Sequence, residues 1–417
     1  MSYAGARRTV GRLSGFTVSV LLVTLLGIVS IPVLTASVGD IAWGRLALVQ
    51  TVAQFGGILV AFGWGAVGAA TVAGIPVGRR PAFFRRSLQA RAWLYACVFP
   101  VLALLLIILT RGELLISILG AAVYLLPYLG ANWYFTGEGR PKRLLLFDTA
   151  PTVGGAVLGL VGTWMTGELW VYLLFQGLGY VAAVTISALI VQRSPQDAEF
   201  VDRTPLKALL ASQRHAVSAT LVSGLYVTLP MIAVQAFLPG LQPMYAYADR
   251  LFKYASIAFL PIQQFFQSWV PVDDGGRRRR MRIATLAAIA IGIIAGALIA
   301  VLSPWVSTLL SVGKITVPIS VSLPLGVAFI GIATAAVVGY ACLVSLGRVR
   351  ALAVSTAVGA AVGAPLIILF AIIGSVPAVA WAVAISELCV AGYQLMVLRG
   401  ALHESAARPN DLLGGES

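Results

Sequence analysis

Charge is scarce in this chain, and acid is scarcer than base: of 417 residues only 11% are charged, with 15 Asp and Glu against 29 Lys and Arg. A water-soluble domain carries roughly a quarter charged residues, so a surface solvated on every side is excluded. Histidine occurs only at His215 and His403, which leaves no metal-ligand spacing. Cys97, Cys342 and Cys389 lie within apolar stretches, too scattered for a disulfide framework, and read as small buried hydrophobes. No phosphate-cradling loop or nucleophile elbow occurs, so neither ATP hydrolysis nor covalent catalysis is expected and the chain does not read as an enzyme.

What is present in excess is apolar: 59% of residues are hydrophobic and the mean hydropathy is +0.93. These values imply an all-α integral membrane protein. Its formal charge of +14 then belongs to the basic loops that orient membrane helices, and nucleic acid is not expected as a partner.

Apolar runs of about 20 residues predict twelve transmembrane helices near 15–35, 45–68, 92–110, 114–135, 149–166, 169–191, 215–237, 245–270, 283–303, 320–343, 351–373 and 378–398. Basic residues precede the first run without a small-residue cleavage site, so Gly15–Thr35 reads as a retained helix. With both termini cytoplasmic, 24 of the 29 basic residues fall in inside segments, among them Arg79, Arg80, Arg85, Arg86 and Arg91. That asymmetry supports the helix count and the orientation.

The longest hydrophilic segment lies at mid-chain. It predicts two six-helix bundles, 1–191 and 214–400, joined by a cytoplasmic linker at 192–213 and followed by a cytoplasmic tail at 401–417 that reads as disordered from Arg408. The halves echo each other: Pro32 and Pro230 sit late in the first helix of each, and Trp43-Gly44-Arg45-Leu46 is matched by Ala248-Asp249-Arg250-Leu251 at the start of the second. A parallel duplication places a substrate path between the lobes, with helices one, two, seven and eight facing it. Helix two then offers Arg45, Gln50 and Gln54, while its Gly56-Gly57 permits close packing.

The eighth run is membrane-length yet carries Asp249, Arg250, Lys253, Gln263, Gln264 and Gln267. At about 100° per residue, Arg250, Lys253, Tyr254, Ile257, Pro261, Gln264 and Ser268 share one narrow face, and the other side is apolar. Charge inside a spanning helix marks a functional candidate. The competing reading is that Arg250 and Lys253 snorkel to the headgroups; the glutamines continue the polarity deeper. An anion would fit against this face.

Two segments resemble a known family. The stretch SVGDIAWGRLALVQTVAQFGGILVAFGWGAVGAA is similar to the opening signature of polysaccharide or O-unit (Wzx-type) flippases, with Trp43 in place of the usual Tyr or Phe. Residues Asn132 to Lys142, NWYFTGEGRPK, resemble that family's Trp-Phe-Phe-Gln-Gly-Glu run at the cytoplasmic end of helix four, with Thr136 in place of Gln. The resemblance implies the fold of the multidrug/oligosaccharidyl-lipid/polysaccharide (MOP) exporter superfamily, two six-helix bundles in a V that open alternately to each side. It further implies, as cargo, a polyprenyl-pyrophosphate (undecaprenyl pyrophosphate) oligosaccharide crossing the cell inner (cytoplasmic) membrane for surface polysaccharide synthesis, with membrane lipids and a polysaccharide polymerase and ligase as partners. Substrate contacts would be Arg250, Lys253 and Arg45, with Gln264, Tyr254, Gln50 and Gln54 beside them.

The remaining charges have gating or ion-coupling roles open to them. Glu387, deep in helix twelve, would bind a coupling proton or sodium or else fix packing. Asp249 flanks the basic pair. Glu138 and Asp148 flank a basic loop and would pair across the lobes as a gate, or form ordinary interfacial pairs. No other cofactor is expected, and Trp43, Trp133, Trp269, Trp305 and Trp381 read as aromatic-belt anchors. Two further functions stay open: a cation-coupled multidrug exporter of the same fold, which would favour carboxylates in its cavity, and a membrane polysaccharide polymerase or acyltransferase, which would need a long external loop or a carboxylate/His pair. The related lipid II flippase is disfavoured because it has two further helices.

Overall fold

The computed structural model describes residues 3–194, 205–271 and 276–407. Its helices are α1 (Tyr3–Val38), α2 (Asp40–Ala61), α3 (Trp64–Gly74), α4 (Arg80–Leu109), α5 (Leu114–Leu125), α6 (Asn132–Gly137), α7 (Pro141–Leu144), α8 (Ala150–Thr166), α9 (Leu169–Gln192), α10 (Leu206–Phe237), α11 (Gln242–Trp269), α12 (Arg277–Leu310), α13 (Ile319–Val337), α14 (Arg350–Ile373) and α15 (Val376–Ala407). Among the described residues, eleven segments are long and apolar enough to cross a membrane. The twelfth expected span is α11, 28 residues long, whose charged and amide side chains lower its hydropathy. The protein is an all-α, multi-pass membrane protein.

The chain divides into two compact units, Met1–Thr228 with Leu310–Val312, and Leu229–Leu309 with Gly313–Ser417. The passage between them falls within α10, beside Pro230. Of the expected linker at 192–213, residues 195–204 lie outside the described residues, as does the tail from Arg408.

Small residues let helices approach closely within each unit. In the first, a Cβ on Gly155 would come 2.7 Å from the Cα of Gly179, and one on Gly179 would come 2.9 Å from the Cα of Gly155, so α8 and α9 touch backbone to backbone. In the second, Gly296 of α12 and Gly326 of α13 face each other in the same way.

Two predicted spans prove to be interrupted. The helix expected at 45–68 breaks at Phe62 and Gly63, with φ of 39° and 88°, where the glycine tolerates a left-handed turn. The one expected at 114–135 ends at Leu125; Pro127, lacking an N–H, forces a 3₁₀ turn over Leu126–Leu129 before α6 resumes. Broken backbone at membrane depth persists only where its polar groups find partners. Here the partner is Arg91, whose Nη1 donates to the carbonyls of Tyr128 at 2.9 Å and Gly130 at 2.8 Å.

Arg91 corrects its own sequence reading. It belongs not to a loop before a helix at 92–110 but to the interior of α4, where it is 1% exposed. The basic run Arg80 to Arg91 conceals a helix that continues past the apolar stretch. Trp43 and Trp133 are likewise buried rather than belt residues: Trp133 packs with Phe84, Tyr134 and Phe135 in the core of the first unit. Cys97, expected to be buried, is exposed.

Candidate functional site

The polar helix α11 has a physical reason to hold its orientation. Tyr245, Phe252, Phe259 and Phe266 recur every seventh residue and are all buried, a spacing that keeps one seam on one side of a helix. Phe329 of α13 meets this seam edge-on, with ring centroids 6.3 Å from Phe252 and 5.9 Å from Phe259. Within a membrane the stabilisation comes from close packing and from the edge-on ring contacts, about 0.5–1.5 kcal/mol each, rather than from transfer out of water. The seam therefore turns the opposite, polar face away from α13.

On that face Asp249, Arg250, Lys253 and Tyr254 are half-buried, and Pro261, Gln264 and Ser268 are in part or fully exposed. Lys253 Nζ lies 2.7 Å from Asp249 Oδ2, one turn back along the helix. Arg250 is close enough to Tyr254 to act on it electrostatically. The face holds two cations to one carboxylate. Gln263 and Gln267, half-buried, flank its far end.

The helix-two residues belong to the other unit. Arg45 Nη1 donates to Glu113 Oε1 at 2.6 Å in a pair about 40% exposed on each side (39% and 43%). Gln50 Nε2 donates to the Tyr124 hydroxyl at 2.8 Å, while Gln54 is exposed. Glu113, absent from the sequence-derived set, was hidden by the 68 residues that separate it from Arg45.

Each remaining carboxylate has its own setting. Glu138 meets Arg143 at 3.5 Å inside the first unit. Asp148 lies in a π-helical stretch, Leu145–Thr149, with Tyr180 as an electrostatic neighbour. Glu387 is half-buried on α15, where its backbone abuts Gly331 of α13: a Cβ on that glycine would meet the Glu387 carbonyl carbon at 2.7 Å. Among the described residues no cluster of His, Cys, Asp and Glu could hold a metal ion.

No family model and no curated protein matches this chain. Solved structures do. Lipid II flippase MurJ in an inward closed conformation aligns with a TM-score of 0.69 at 11% identity, over 92% of this chain and 87% of that one. An inward-facing multidrug resistance MATE family transporter of the MOP superfamily aligns at 0.63 and 15% identity, over 94% and 96%. The Vibrio cholerae MATE transporter VcmN, in a mutant form, aligns at 0.59 and 13% identity, over 96% and 97%. At such identities the likeness shows a shared fold.

Proposed function

We propose that a chain with this fold and this α11 is a flippase that moves a polyprenyl-pyrophosphate-linked oligosaccharide from the inner to the outer leaflet of the cytoplasmic membrane, both termini remaining cytoplasmic. The observation that carries the reading is the open face of α11, where Arg250 and Lys253 outnumber Asp249 and amide side chains continue the polarity along the helix. A pyrophosphate is costly to bring into a low-dielectric zone and is offset by fixed cations. Amides and hydroxyls suit the sugars behind it. Work is done by alternating access, without a covalent intermediate, and a polymerase and ligase consume the delivered unit.

A second reading, a cation-coupled multidrug exporter, is favoured by one observation: Glu387 is a carboxylate set inside a spanning helix. Deleting the gene for this chain separates the two. Loss of one surface polymer, with its complete lipid-linked unit accumulating on the cytoplasmic side, is the expected result. Unchanged polymer with heightened sensitivity to lipophilic cations would replace the flippase reading with the exporter one.

A further inference from the structure

Two helices of the second unit are held against α13 by different devices. α11 stands off on aromatic rings, Phe259 and Phe329 having centroids 5.9 Å apart. α12 is drawn in close: a Cβ on Gly296 would fall on the Gly326 carbonyl, and one on Gly292 would come 3.1 Å from the Ile330 Cα. Between α11 and α12 lies an apolar slot of about 330 Å³, wholly within this unit, walled by α11 from Leu251 to Ile262 and by α12 from Ile291 to Val306, with Phe259 and Phe329 at its base. At 1.5 Å per residue the walls run about 16 Å and about 22 Å, half or more of a hydrocarbon core roughly 30 Å thick. Ala255, Ala258 and Ala295 make the room, and the exposed Leu298 and Leu302 mark its open side. Ser303 is the one polar residue on the lining among the described residues, and its hydroxyl donates to the Ile299 carbonyl at 2.6 Å. The slot therefore suits hydrocarbon.

Its place on α11 narrows the choice of hydrocarbon. At about 100° per residue, Leu251, Ala255, Ala258 and Ile262 lie between the aromatic seam and the face that carries Arg250, Lys253 and Tyr254, Ala258 being about 40° round from Tyr254. Cations and slot are neighbours on one helix, and the Leu251 end of the slot is level with Arg250. Arg250 is eight residues into α11, about 12 Å from its start. A phospholipid resident in the leaflet keeps its phosphate at the membrane surface, so only its chains pass this level. An amphiphile with its anion against Arg250 and its hydrocarbon in the slot has brought its head inward, as a lipid in transit must.

We propose that the slot holds the polyprenyl chain of the cargo while its pyrophosphate lies against Arg250 and Lys253, an assignment that rests on the flippase reading above. An isoprenoid carries methyl branches along its length, and the alanine recesses between Leu251, Ile262 and Leu298 give those branches room. One helix then grips both parts of the amphiphile.

Detergent-solubilised full chain is offered undecaprenyl pyrophosphate and, in competition, phosphatidylglycerol, and retention is read by native mass spectrometry. The wild type is expected to prefer undecaprenyl pyrophosphate. Ala258→Leu and Ala295→Leu, which fill the slot from opposite walls, should each weaken that binding about tenfold or more. Ala297→Leu, exposed and about 200° round α12 from Ala295, should leave it unchanged. No retention of undecaprenyl pyrophosphate, or retention that neither slot variant alters, overturns the slot and leaves the flippase reading to the polymer analysis of the deletion strain. Equal retention of phosphatidylglycerol, weakened by the same variants, makes this a bilayer-lipid groove and overturns the isoprenoid occupant. Slot-dependent binding by a chain whose deletion leaves surface polymer unchanged would keep the isoprenoid site and remove the flippase reading.

Discussion

Lys253 and Asp249 form an ion pair across a single turn of α11, Nζ to Oδ2 at 2.7 Å, on the face that the aromatic seam leaves open. The pair is partly shielded from water, so removing one partner leaves the other charge uncompensated. That asymmetry makes the pair testable as a unit.

Lys253→Ala should reduce export of the lipid-linked unit about tenfold or more, because it both removes a cation and exposes the Asp249 charge to the incoming pyrophosphate. Adding Asp249→Ala should restore part of the loss, and Arg250→Ala with Lys253→Ala should abolish export at unchanged protein level. Surface polymer measured in the complemented deletion strain, beside an immunoblot, checks the order; wild-type export by the last double variant would remove the anion site from α11.

Arg91→Met should destabilise the protein by about 2–4 kcal/mol, since charge-assisted bonds to two carbonyls are lost and those carbonyls stay buried. Arg91→Lys should recover only part, because one ammonium can serve the two carbonyls that Nη1 bridges but leaves the Ser87 contacts of Nε and Nη2 and the planar stacking over Trp133 and Phe84 unmade. Thermal unfolding of the purified chain, followed by loss of the monodisperse peak, reads both; an Arg91→Met variant as stable as the wild type would contradict the bridging role.

Gly57→Ala should destabilise by about 1–3 kcal/mol, because a Cβ there would fall within the Tyr128 ring. Gly154→Ala, with nothing within 4 Å of its Cβ, should be neutral or stabilise by up to about 1 kcal/mol. The same unfolding assay compares them.

Glu387→Gln should leave export close to wild type if the carboxylate fixes packing between α15 and α13, since the amide keeps the shape. Export measured after dissipation of the proton gradient and of the sodium gradient separately, in wild type and variant, distinguishes this from ion coupling: gradient dependence present in the wild type and lost in Glu387→Gln would assign coupling to Glu387.

The positions of the spans were legible because each is a long apolar run, and the polarity of α11 was legible because its charges recur at helical spacing. Three things were not. The interior place of Arg91 was concealed by its own charge: four further arginines between Arg79 and Arg86 make the start of α4 look like a loop, whereas the helix simply runs beyond the apolar stretch. Pairings such as Arg45 with Glu113 depend on which helices pack together, and residues 68 apart give no local sign of it. The Pro127 break was visible as a proline, but its consequence, two carbonyls needing a donor from α4, requires the fold.

The heptad seam of α11 also bears on how such a chain can diversify. Its four rings are buried, and Phe329 meets two of them, on the side of the helix opposite Gln264 and Ser268. Substitutions at the exposed Gln264 or Ser268 can therefore accumulate with little penalty to folding, and on the proposed flippase reading selection for a new cargo can act there while the scaffold stays the same. On that reading recognition and stability occupy opposite sides of one helix, so a lineage can change what it carries without first surviving an unstable intermediate.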